Sequence, residues 1–127
     1  MGNGSSFNAT FTGGSGGGTS SVTINYRRTT NGTQSVITLM IPQILLSTGS
    51  SALTIQTAMN VIPLGLVPST SQYIPIPIRM NTVSSIGMLV LINNGALVIV
   101  DGANSATFPA YTATCGILLP TQVTYAI

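Results

Sequence analysis

The chain has 127 residues, of which 3% are charged: three arginines, one acidic residue, no lysine and no histidine. Ordinary soluble domains carry about 25% charge, and the inventory of Arg27, Arg28, Arg79 and Asp101 leaves too few cations for nucleic-acid binding, no imidazole base for a nucleophilic triad and no second carboxylate for glycoside hydrolysis. Metal sites need clusters of His, Cys, Asp or Glu, and Asp101 and Cys115 are the whole of that set, so the expected protein is not an enzyme and holds neither cofactor nor metal.

Hydrophobic residues make up 44% of the chain, yet no apolar run reaches the ~18 residues of a membrane helix, so no membrane insertion is expected. Thr, Ser, Asn, Gln and Gly fill nearly every other position. Such a neutral surface is insensitive to salt and pH and suits an exposed structural protein better than a metabolic enzyme. Cys115 is alone, so no internal disulfide is possible, and "TATCGILLP" around it reads as the setting of a buried, inert thiol.

The start, "MGNGSS", lacks the regions of a signal peptide; it fits an N-myristoylation pattern at Gly2, one that short Gly/Ser starts often match by chance. Residues 1–20 read as a flexible N-terminal segment, with "GGSGGGTSS" (13–21) as its Gly/Ser link. Within it, "FNATFTG" alternates Phe7, Ala9 and Phe11 with polar residues, which fits either a short strand or a disordered tail.

From residue 21 to the end the signal has period two. "SSVTINYRRT" places Val22, Ile24 and Tyr26 on one face and Thr23, Asn25 and Arg27 on the other. Arg27 and Arg28 then point to opposite faces, a solvated strand end rather than one cationic site. Asn31-Gly32 signals a hairpin, and its return strand "QSVITLMIP" is apolar on both faces. "STGSS" (47–51) reads as a loop and "ALTIQT" as a strand. The sequons Asn8-Ala9-Thr10 and Asn31-Gly32-Thr33 are expected by accident in a chain this rich in Asn and Thr.

In "YIPIPIRM" (73–80) isoleucines alternate with prolines, which donate no backbone hydrogen bond. Pro75 and Pro77 silence one edge of the strand while residues 74, 76 and 78 pair on the other. With no lysine available, proline serves as edge protection, and Ile74, Ile76 and Ile78 should face the core or a neighbouring subunit; an extended polyproline-like connector is the alternative. Residues 86–92 and 96–101 form a hairpin across Asn93-Asn94-Gly95, "DGANSA" is a turn, and "TFPAYTATCGI" and "PTQVTYAI" close the chain as strands. Only "IQTAMNVI" (55–62) offers a helical turn or two. Eight to ten short strands with turns between them predict an all-β antiparallel sandwich, jelly-roll-like.

Strands 36–41, 88–92 and 96–100 are apolar on both faces, whereas an isolated antiparallel sandwich shows water one polar face per strand. A subunit interface would cover the second face, which predicts a constitutive oligomer. Aspartate at Leu91 or Val98 should then dissociate or aggregate the protein.

The second half, through "VIPLGLVPSTSQYIPIPIRM", "LVLINNGALVIVDG" and "TFPAYTATCGILLPTQVTYAI", resembles the C-terminal head domains of viral fibre and fibre-like surface proteins of large DNA viruses, virophages and tailed phages. It is similar in style to the trimeric heads of the adenovirus-fibre and C1q/tumour-necrosis-factor kind. That resemblance implies a homotrimer on the virion surface that attaches to a cell-surface receptor or glycan, with 13–21 linking it to the particle. A structural, particle-decorating protein without a ligand is the alternative; a bacterial surface module is a third reading, one that calls for a secretion signal. The resemblance carries over no binding residue; loops 29–34 and 47–51 are contact candidates only because loops carry function.

Overall fold

A computed structural model describes residues 4–14, 16–50, 54–102, 107–108 and 113–127; Gly2 and parts of the predicted turn at 101–106 and strand at 107–117 lie outside them. The chain is all-β, one curled antiparallel sheet of ten strands in the order β10-β3-β2-β1-β5-β8-β7-β6-β9-β4. The strands are β1 (Gly4–Thr12), β2 (Thr19–Asn31), β3 (Gln34–Ile41), β4 (Ile44–Leu46), β5 (Ile55–Gln56), β6 (Gln72–Met80), β7 (Val83–Leu91), β8 (Leu97–Val100), β9 (Cys115–Ile117) and β10 (Thr121–Ala126).

Two meanders build the two layers of this sandwich-like fold. In one, β2 pairs with β1 along its first half and with β3 along its second, and β10 adds to β3. In the other, β7 lies between β6 and β8. The two-residue β5 bridges the layers, pairing with β1 through Thr12 and with β8 through Ile55 and Gln56. The single core between them holds Phe11, Ile24, Ile37, Leu39, Ile76, Ile78, Leu89 and Phe108, all essentially inaccessible. Alternation places these side chains: each inward residue is followed by an outward one, as the pleat requires.

The N-terminal boundary expected at residue 21 falls inside the sheet. Of the two readings left open for "FNATFTG", the strand is the one present: β1 pairs with β2 over nine residues, and Ala9 and Phe11 are buried. The Gly-rich run is likewise the β1–β2 loop, not a free link. Gly13 N–H donates to the Gly18 carbonyl and Gly17 N–H to that of Gly14, at 2.9 Å each. Gly18 N–H and Gly49 N–H then tie the loop to residues 47–49. A Cβ on Gly13 would collide with the Ser47 carbonyl oxygen. Composition reads glycine as freedom; here it permits close backbone approach.

The Asn31-Gly32 signal marks a hairpin shifted by one residue. Asn31 pairs with Gln34, so Gly32-Thr33 is the loop. Gly32 alone has a left-handed φ of 67°, the pattern of a type II′ turn. The helical turn considered for 55–62 is absent; the one helical element among the described residues is a 3-10 turn at Leu64–Leu66 behind Pro63. No helix is long and apolar enough to cross a membrane among the described residues.

"YIPIPIRM" is a strand, with Ile76 and Ile78 buried and Ile74 packed against the core as expected. Its edge role is partial. Three-residue β9 pairs with Ile78–Met80, and Leu118 N–H reaches the Pro77 carbonyl at 3.1 Å. Residues 72–76 have no strand beyond them on that side among the described residues. Because residues i and i+2 of a strand face the same edge, Pro75 occupies the open part. Pro75→Thr is expected to keep the melting temperature within a few degrees while adding edge-to-edge aggregates larger than the native species, visible by light scattering.

Candidate functional site

Among the described residues the titratable side chains make no reactive cluster: no three of His, Cys, Asp and Glu come together. Arg28 donates to Ser35 Oγ at 3.3 Å, and Arg79 Nε donates to the Asn81 carbonyl at 2.7 Å. Arg27 points outward from β2, away from Arg28. Asp101 precedes Gly102, whose φ of 78° makes it a turn glycine.

Cys115 is fully buried in β9, its Sγ 3.4 Å from the Leu46 carbonyl. Burial pushes its thiol from 9.0 up to about 11, because desolvation penalises the thiolate. Tyr125 is also buried, with its hydroxyl donating to the Leu66 carbonyl at 2.6 Å, and burial raises its phenol as well. A raised acid pKa means the native state holds its proton longer than the unfolded chain does. The Cys115 contribution to stability is therefore complete below about pH 9 and lost as pH climbs through about 11. Native protein is expected to resist thiol reagents at pH 8 and to react stoichiometrically once denatured, as a chromogenic disulfide assay would read.

The contact candidates 29–34 and 47–51 do not share a surface. Residues 29–34 form the exposed β2–β3 tip, whereas Thr48 and Gly49 are buried against the β1–β2 loop at the other end of β2. β2 has 13 residues, which sets these ends about 40 Å apart. Residue 51 lies outside the described residues.

The informative geometry is the contrast between the two outer faces. On β6, β7 and β8 the outward side chains form cross-strand rows, Tyr73–Val90–Val98 and Pro75–Met88–Val100, with Ile86 opposite Pro77. Val90, Val98 and Val100 form a second apolar cluster with Met88 and Ile92 packed against it. The doubly apolar strands 88–92 and 96–100 are thus real, but these valines are already out of water within one chain. What stays open is the rim, with Tyr73 59% and Ile86 61% exposed.

On β1, β2, β3 and β10 the outward rows are hydroxyls and amides. Thr10 bonds Ser21 at 2.9 Å, Thr23 donates to Asn8 Oδ1 at 3.2 Å, and Thr38 bonds Thr124 at 3.3 Å. Between these pairs runs the row Ser6–Asn25–Met40–Gln122. Alternation in the sequence shows that these residues point outward; only the strand register shows that they meet. Strand 36–41, expected to be apolar on both faces, shows this side Val36, Thr38 and Met40. No protein-family model and no curated protein sequence matches the chain.

Proposed function

We propose that the protein is a non-enzymatic, fibre-head-like viral surface protein, a jelly-roll-like homotrimer on the virion that attaches to a host or partner surface. The observation that supports this most is the contrast of the two outer faces: one layer presents an apolar rim suited to a second copy, and the other a neutral hydroxyl-amide surface suited to a ligand. The rim residues Tyr73, Pro75 and Ile86 belong to a chain with almost no charge to keep copies apart, and aromatic and aliphatic anchors of this kind dominate interface energies.

Tyr73→Lys combined with Ile86→Lys tests the assembly. Both side chains are more than half exposed, so the single chain should keep its fold and melting profile. The trimer's dissociation constant is expected to rise by about a hundredfold or more, since two ammonium groups would be desolvated. Unchanged assembly would move the interface elsewhere. Attachment is tested by binding of the purified protein to host cells; tight association with particles and none with cells would make it a decorating protein instead.

A further inference from the structure

We infer that the outer face of β1, β2, β3 and β10 is a carbohydrate-binding groove centred on Met40; this rests on the attachment reading above and names its ligand class and site. Two adjoining hollows of about 400 and 450 Å³ lie on this face and share Asn25 and Met40. The first extends to Pro42, Pro120 and Gln122; the second reaches Ser6 and Arg27.

The lining has the two components a sugar needs. Met40, 41% exposed in the middle of a polar face, and the rings of Pro42 and Pro120 offer an apolar platform for the C–H face of a pyranose. Asn25 and Gln122 flank Met40 on the neighbouring strands. Each amide supplies two donors and an acceptor, and neither is engaged by another side chain among the described residues. They stand two strand spacings apart, about 10 Å, the span of a disaccharide. Of the hydroxyls lining the hollows, Thr23 donates to Asn8 Oδ1 and Thr121 to the Leu119 carbonyl, while Ser6 adds a further polar group beside Asn25 in the same cross-strand row.

Other ligands fit less well. A nucleic acid would need more than one cation, and a protein partner would need large aromatic or aliphatic anchors, where the outward apolar side chains lining these hollows are Met40, Pro42 and Pro120. Arg27 at one end adds a site for a single carboxylate, so neutral and carboxylate-ended sugars share the groove's chemistry and differ at that end.

The test is an array of neutral oligosaccharides ending in galactose, glucose or N-acetylglucosamine, printed beside sialylated ones and probed with the assembled protein. Retention on a subset is expected, with Asn25→Ala and Gln122→Ala each weakening it by about tenfold or more. Both side chains are exposed, so unchanged melting curves should accompany the loss. Ser84→Ala on the opposite layer should leave binding intact. Arg27→Gln should weaken only sialylated probes if the ligand is acidic, and none if it is neutral. Retention that survives both amide variants overturns the groove, as does no retention on any probe. If the protein still binds whole cells in that case, attachment stands and the groove alone fails; if it binds neither, both fail.

Discussion

Leu91→Asp is expected to leave the chain unfolded at 25 °C, with no cooperative thermal transition by circular dichroism. Leu91 ends β7 opposite Gln72 and Leu97 and is fully inaccessible in the main core. Replacing it removes about 2–3 kcal/mol of apolar burial and places a carboxylate where no cation answers it. Arg79, the cation of the β6–β7 hairpin, is at the far end opposite Ser84. An uncompensated buried charge costs several kcal/mol more, and a domain of this size has only about 5–15 kcal/mol in total. Val98→Asp should behave differently. Val98 belongs to the outer cluster beside the open rim, so the expected result is weakened assembly with a cooperative but lower melting transition. The sequence treats the two positions alike; their opposite pleats separate them. A folded Leu91→Asp variant would mean that β7 is not registered as described.

Gly116→Ala is expected to lower the melting temperature by about 10 °C or more. Gly116 is the middle residue of β9, between Leu45 of β4 and Arg79 of β6. Its φ of 136° lies in a region open in practice to glycine alone, worth about 1–3 kcal/mol of strain for any other residue. An alanine Cβ would also meet the Ile44 carbonyl oxygen at less than contact distance. That neighbour is backbone in a paired strand and cannot swing aside. The two costs fall on one short strand that joins β6 to β4, so the sheet would open there first. Gly102→Ala is the comparison: its φ is also positive, but no atom lies within 4 Å of the added Cβ, and a loss of about 1 kcal/mol is expected. Equal melting shifts for the two would remove the case for a close approach at β9.

Much of the fold is legible in the sequence because alternation is a local property. Val22, Ile24 and Tyr26 share the inner side of β2, and the Asn93-Asn94-Gly95 turn joins β7 to β8, with Gly95 N–H donating to the Ile92 carbonyl at 2.9 Å. The Gly-rich loop was hidden for a physical reason. What orders Gly13 and Gly18 is Ser47 and Gly49, some thirty residues away in the chain, and composition carries no trace of such contacts. The β6–β7 turn was missed because Asn81-Thr82 has no glycine; Asn81 takes a left-handed φ of 56° itself, which asparagine tolerates. The edge role of Pro75 was readable in outline, but which half of β6 is open depends on β9, whose length the sequence does not mark. The candidate groove depends wholly on register. Ser6, Asn25, Met40 and Gln122 come from four strands, and a one-residue slip in any of them would turn its member inward.

In the proposed assembly, copies of this chain join through the exposed rim of the β6, β7 and β8 face, leaving the hydroxyl-amide face open to a ligand. Solution mass by size-exclusion chromatography with light scattering tests it most directly, run on the native protein beside the Tyr73→Lys, Ile86→Lys variant. Three chains of 13.0 kDa give a closed ring of about 39 kDa; that mass for the native protein and 13 kDa for the variant is the predicted result. A native protein that elutes as a 13 kDa monomer at all concentrations would overturn this assembly and leave the exposed rim of Tyr73, Pro75 and Ile86 as ordinary surface.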